Sequence, residues 1–455
     1  DKSPEAVAAA AATAAAAAAT AGGAVPLPPP PSPLPPLLAR LAATWAGAVT
    51  AADGAPLLPS GARTGVLTAT AAVTVASLSH ELRAAVRDAL LLDTTAGGDG
   101  GGGVGFQVHA IATALAIEAR RAGAALADAV FVHMYLRDMA AFAAANAAYC
   151  CYWGAHPPSR SAVALRDLPP GVDVALDALF LPGSWGPLAA GGDTTARDTL
   201  HVASLSHWAP LCIGPYCQAN VCGSGAALFL AGQIPLDPGT MTLAHGDDAV
   251  PGGVHLSLRH VHRILQPLRS SAAHLASLTL YAPTLPAAHG ALAAARAWLD
   301  SPPPDSEYDD SSTAAHRGAA DLPLAALVVS ALPRGAPVEV EAISVGANPD
   351  AYTLPWALLR GNWLVVESAA AALPLPYPGD GALVSIRAYY FATNAAAAAL
   401  LAEVTATAAR MRVPVVPVPV TAAALLLPPA ACVDVPPTAL LLHLLSTRAA
   451  GDMLA

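Results

Sequence analysis

The sequence predicts an α+β chain built from repeated units, each a mixed sheet with helices on one face. Two observations carry this. The order helix, strand, helix, two strands occurs over 107–180 and recurs over 254–345. The paired strands are joined by related turns, LPPG at 168–171 in the first copy and LPRG at 332–335 in the second.

The elements follow in order. Residues 1–60 are rich in alanine and proline, with PLPPPPSPLPPL at 26–37, and read as a low-complexity linker with polyproline II character. The alanine run at 8–19 lacks the content of a membrane span or a signal peptide. Residues 62–80 alternate weakly, as strands do, and GGDGGGG at 97–103 reads as a loop. From Gln107 to Gly123 the pattern is helical, with Val108, Ile111 and Leu115 on one face and Gly123 as the C-terminal cap. AVFVHMYL (129–136) is a strand, and Asp138 is placed to cap a second helix. SAVAL (161–165) and VDVALDALF (172–180) are strands.

In the second copy Val254, Leu258, Val261, Leu265 and Leu268 form one helical stripe. A strand at 275–282, an alanine-rich helix at 287–299, an acidic loop at 301–313 and paired strands within 325–345 follow. A worn third copy is expected in the extension 347–455, with a strand at 383–392 and a helix at 394–410. Closing strands are expected at 413–420 and 439–448; the prolines of VPVVPVPV confine the first to a sheet edge. The expected boundaries are 61–185 for the first unit and 200–346 for the second.

Composition narrows the functions. The net charge is −10 and Lys2 is the only lysine, so a basic stripe for nucleic acid is missing. The lysine count also excludes a Walker A loop from this chain. Cys212, Cys217 and Cys222 step by five, which matches no zinc knuckle, and no CxxC pair occurs. The cysteines read as reduced cytosolic thiols. His255, His260 and His262 share a helix without an i, i+4 pair, so they read as exposed histidines and no metal is expected. Ser159 and Ser161 flank Arg160 with no His–Asp arrangement nearby, against a serine hydrolase.

CIGPYCQANVCGSGAALFLAGQIPLDPGT (212–240) resembles the opening of the reactive-intermediate deaminase family, the Rid or YjgF-like proteins. Its signature is IGPYSQA followed by a strand carrying SGQIP; here Cys217 replaces the serine and Ala231 precedes Gly232. The first unit supplies the other end of the pattern, YLRDMAAFAAANAAY (135–149) and PSRSAVAL (158–165). The resemblance implies tandem Rid-like units with a chorismate-mutase-like fold. It also implies that Arg160 grips the carboxylate of a 2-imino acid, a task suited to a planar guanidinium fork. A held water would then attack the imine carbon, helped by a glutamate of the last strand.

Carried over residue by residue, the match is divided. Arg160 and Asn146 match in the first unit, where Asp177 stands in place of the glutamate. Tyr216, Gly232 and Glu341 match in the second, where Leu324 stands in place of the arginine. Neither unit is complete, and family members form trimers with clefts between subunits. One composite cleft is therefore expected, with Arg160 facing Tyr216 or Glu341, in a homo- or pseudo-trimer.

The order of parts is similar to the C-terminal region of plant-type diphthine–ammonia ligases. That resemblance implies support of ATP-dependent amidation of diphthine on elongation factor 2, in the cytoplasm. No cofactor is expected in this chain, and ATP would be held upstream of Asp1. Three alternatives stand beside it: a free-standing 2-imino acid deaminase, a non-catalytic scaffold or ligand sensor, and an RNA-cleaving member, which the acidic charge opposes. No membrane partner is expected.

Overall fold

The computed structural model describes residues 61–63, 66–72, 103–121, 124–153, 156–180, 197–222, 227–243, 249–300, 322, 324–346, 358–366, 382–410, 415–427 and 431–448. The linker 1–60, the glycine tract before Gly103, the Gly123 cap and the acidic loop lie outside these residues.

The first unit contains β1 (Gly61–Arg63), β2 (Val66–Ala72), α1 (Val104–Arg121), β3 (Ala129–Leu136), α2 (Phe142–Trp153), β4 (Ser159–Ala164) and β5 (Val174–Phe180). Its sheet runs β1-β2-β5-β3-β4. Val132, Met134 and Leu136 of β3 point to one face and join Ile111 and Leu115 of α1 in a helix-side core. Asp138 accepts the amide of Ala140 and caps a short 3-10 turn, Met139–Ala141, that leads into α2. Gly105 of α1 approaches Ala148 of α2, so small residues let the two helices lie close.

The second unit contains β6 (Arg197–Leu200), β7 (Ala219–Cys222), β8 (Ala227–Gln233), α3 (Ala249–Leu265), β9 (Leu275–Ala282), α4 (Leu285–Asp300), β10 (Leu324–Val328) and β11 (Glu339–Ser344). The stripe Val254, Leu258, Val261 and Leu265 is buried against this sheet. Full burial of such side chains contributes about 1.5–3 kcal/mol each. The expectation of exposed histidines on α3 is met at His255 and needs correction at two positions: His262 is half-buried, with Nε2 accepting from Gln266 at 3.2 Å and its ring edge-on to Trp298. His260 is fully buried, with Nε2 donating to the Leu236 carbonyl at 2.8 Å. It falls on the apolar stripe between Leu258 and Val261, a position that ligand spacing does not register.

The third unit contains β12 (Leu358–Val366), β13 (Ala382–Tyr390), α5 (Ala395–Arg410), β14 (Val415–Pro419), β15 (Ala422–Leu427), β16 (Ala431–Asp434) and β17 (Leu440–Arg448). β14 pairs only with β13 among the described strands, so its prolines sit at an edge.

The three units share one strand order. It is β2-β5-β3-β4 in the first, β8-β11-β9-β10 in the second and β12-β17-β13-β14 in the third. In each, the last two strands are parallel and joined by a helix, as parallel pairing requires. The hairpin β15–β16 leaves the third unit and extends the second sheet by pairing β15 with β10.

The units meet in a cycle. β8 lies against β4, β12 against β9, and β2 against β13. The inner faces of all three sheets share one core, which includes Tyr135, Tyr281 and Tyr389. Each of these tyrosines is the penultimate residue of its strand, so they occupy equivalent places. Both faces of the sheets are thus covered, which is why β3, β5 and β10 are buried along their whole length.

Candidate ligand-binding cleft

Arg160 is the second residue of β4 and is 3% exposed. A guanidinium this deep needs compensation. Three rings surround it: Tyr149 with its centroid 4.8 Å away, and Phe142 and Tyr216, each at 5.7 Å. Phe142 and Tyr149 lie on one face of α2 in the first unit, whereas Tyr216 comes from the second. Burial pulls the guanidinium below its usual value, while Tyr149, Tyr216 and Glu339 act in the opposite sense. Nη1 has no hydrogen-bond partner among the described residues.

The Gly214–Tyr216 segment closes over this cation. A Cβ at Gly214 would come within 2.8 Å of Nη2 of Arg160, so a side chain there would push the guanidinium aside. The segment is held by its neighbours. The Tyr216 hydroxyl accepts the Ile213 amide at 3.2 Å, Gln218 donates to the Pro210 carbonyl at 2.7 Å, and Gln233 donates to Gln218 at 2.7 Å. Arg197 of β6 ties it to the first unit. Its Nε donates to Asn220, and its Nη atoms donate to the carbonyls of Ala127 and His156. Asn220 in turn donates to Ser159 at 2.9 Å, one residue before Arg160.

The carboxylate at this cleft is that of Glu339, the first residue of β11 and 2% exposed. A Cβ at Gly232 would overlap it, and would come within 2.8 Å of the Ser161 hydroxyl. Burial first, and then the negative charge of Glu341, raise the Glu339 carboxyl to about 8 against the opposing Ala162 amide, Arg160 and His133. Oε2 of Glu339 and Oγ of Ser161 have no partner among the described residues. The cleft therefore gathers a buried cation, a buried acid and a hydroxyl, each with an unpaired polar atom. Such a set is costly unless a ligand completes it.

The structure brings Arg160, Tyr216 and Gly232 together at this point. Asn146 lies on α2 between Phe142 and Tyr149, and its buried Oδ1 has no partner among the described residues. Two expected residues are placed differently. Asp177 and Glu341 do not face Arg160; they bind one imidazole, Asp177 Oδ1 at 3.0 Å from His133 Nδ1 and Glu341 Oε2 at 2.9 Å from Nε2. Tyr135 donates to Asp177 at 2.8 Å and Tyr281 to Glu341 at 2.9 Å. All this lies on the inner sheet faces, where Asp177 pairs with His133 and Glu341 with Thr279 at equivalent registers. Sequence reading missed Glu339 and His133. VEVE offers two glutamates on one strand face, and only the approach of β8 selects the one beside Gly232.

The chain belongs to the Endoribonuclease L-PSP family, whose model matches residues 101–180 and 207–346. It is 33% identical over 150 residues to protein DfrA of Myxococcus xanthus, covering 33% of this chain and 96% of that protein. More particularly, it is 34% identical over 140 residues to the diphthine–ammonia ligase of Schizosaccharomyces pombe, covering 30% of this chain and 20% of that enzyme. The chain thus spans about a fifth of that ligase. Among solved structures, a putative endoribonuclease from Thermotoga maritima is 28% identical. The match covers 31% of this chain and 93% of that one, with a TM-score of 0.24. Among the described residues no helix is long and apolar enough to cross a membrane.

Proposed function

We propose that this chain is the Rid-like region of a diphthine–ammonia ligase and holds one small carboxylate ligand per chain. The observation that carries the ligand reading is the pair Arg160, beside Gly214, and Glu339, beside Gly232, contributed by different units and each with an atom that has no partner among the described residues. A guanidinium fork matches a carboxylate, and an adjacent neutral acid suits a keto oxygen or imine nitrogen next to it. The likeness to the fission-yeast ligase supports the wider setting, amidation of diphthine on elongation factor 2. ATP would be bound by residues outside this chain, since Lys2 is the only lysine here. The six free cysteines fit a cytoplasmic location.

One site per chain follows from the other two registers. Arg160 pairs with Val132 on β3; the equivalent residues are Leu324, paired with Leu278, and Val415, paired with Ile386. Neither is a cation, and β10, which carries Leu324, is further paired with β15. Three units in one chain supply what a homotrimer would otherwise assemble. A second reading, hydrolysis of 2-imino acids, is favoured by the protonated Glu339 facing the cleft.

Calorimetric titration with pyruvate tests the ligand reading. Saturation at one equivalent per chain is expected, weakened about tenfold or more in Arg160→Met, the scale of a lost charge-assisted pair. Binding indifferent to that change would refute it. For the wider setting, a longer protein carrying this chain should convert diphthine to diphthamide with ATP and ammonium; failure would remove the ligase reading.

A further inference from the structure

The bridge between the two units contains more acid–base chemistry than a structural clamp requires. Both ring nitrogens of His133 face carboxylate oxygens, at 3.0 and 2.9 Å. Each contact needs one hydrogen. If the imidazole carries both, one cation lies between two anions. If a carboxyl carries one of them, a neutral ring and a neutral acid stand beside one carboxylate. The net charge is minus one in either case. The three side chains are 2–3% exposed, so solvent screens that charge little.

This charge lies beside the cleft. Glu341 and Glu339 are two residues apart on β11 and so share one face. The groups around Glu339 are Arg160, Ser161 and the Ala162 amide from β4, Glu341 from its own strand, and His133 from β3. Around the bridge stand Tyr135 of β3, Asp177 of β5 and Tyr281 of β9. In the third sheet the register puts Arg387 and His443 opposite one another, at the positions equivalent to His133 and Asp177.

We propose that the Asp177–His133–Glu341 bridge is the electrostatic support of the cleft, and that its buried negative charge keeps the Glu339 carboxyl an O–H donor. Glu341 and His133 are then positioning residues, acting through Glu339. The arrangement selects the ligand class. A carboxylate meets Arg160, and an acceptor atom next to it meets the Glu339 hydroxyl; a ligand with a second anionic or a donor group there is disfavoured. Burial is the first reason that a cleft beside a cation retains a neutral acid, and the bridge adds to it; Arg160 by itself would favour the ionised form. This rests on the carboxylate reading for its ligand class, but its test needs no ligand.

Infrared titration of the full chain follows the carboxylic acid band that Glu339→Gln removes. In the wild type that band should persist at pH 7. In Glu341→Gln, a near-isosteric change, its midpoint should fall by about one pH unit or more, a tenfold change in proton affinity. An unchanged midpoint in Glu341→Gln overturns the proposal. So does a wild type with no such band at neutral pH, a result independent of how the variant folds. Pyruvate failing to bind would sink the ligand reading and leave these infrared outcomes unaffected.

Discussion

Replacing Glu339 by glutamine should make the protein more stable at neutral pH. The carboxyl has an ordinary value of 4.5 and is raised to about 8 in the fold, chiefly by burial. The folded chain therefore binds more protons than the unfolded chain between these two values. Stability contributed by this group is complete below 4.5 and is lost as pH rises toward 8. At pH 7 the loss spans 7.0 − 4.5 = 2.5 pH units; at 1.36 kcal/mol per unit this is about 3 kcal/mol. Glutamine keeps the size of the side chain and an acceptor for the Ala162 amide, but cannot ionise. Urea unfolding at pH 5 and pH 7 provides the assay. The wild type should lose about 2.5 kcal/mol more than Glu339→Gln between these conditions, since roughly a quarter of the loss falls below pH 5. Equal pH slopes in the two proteins would show that Glu339 is not held as a buried acid, and the reasoning about the cleft would fail with it.

Gly232→Ala should displace the Glu339 carboxylate, because the new methyl would overlap it and crowd Ser161. A destabilisation of about 1–3 kcal/mol and a loss of pyruvate binding are expected, read by unfolding and calorimetry. His260 is lowered from 6.5 to about 3 by burial, so it opposes folding increasingly as pH falls below 6.5. His260→Gln should reduce the stability lost between pH 6.5 and pH 5 by about 2 kcal/mol, and an unchanged loss in urea titrations would count against its burial.

Much of the frame was legible in the residues. The strand 275–282 and the helices around Ile111 and Val254 follow from apolar spacing, because local periodicity decides which face is buried. Arg160 and Gly232 were legible as candidate site residues because each occupies a distinctive motif. What could not be read was depth. Asp177 and Glu341 have the right chemistry for a cleft, but a two-residue period fixes the face of a strand and not how far along it a neighbouring unit arrives. His260 was misjudged for a similar reason, since a polar residue on an apolar stripe is buried only if the sheet beneath offers a partner. That partner, the Leu236 carbonyl, comes from a segment 24 residues away.

The sequence by itself determined the alternation of elements, the recurrence of one unit, and the division of an arginine and a glycine-bearing strand between copies. Tertiary structure decided which copies meet. It set β8 against β4, chose Glu339 over Glu341, and covered Leu324 with β15. The physical reason is that hydrogen-bonded edges and inner sheet faces are satisfied by long-range partners. Their chemistry is local, but their register is set by the whole ring of three sheets.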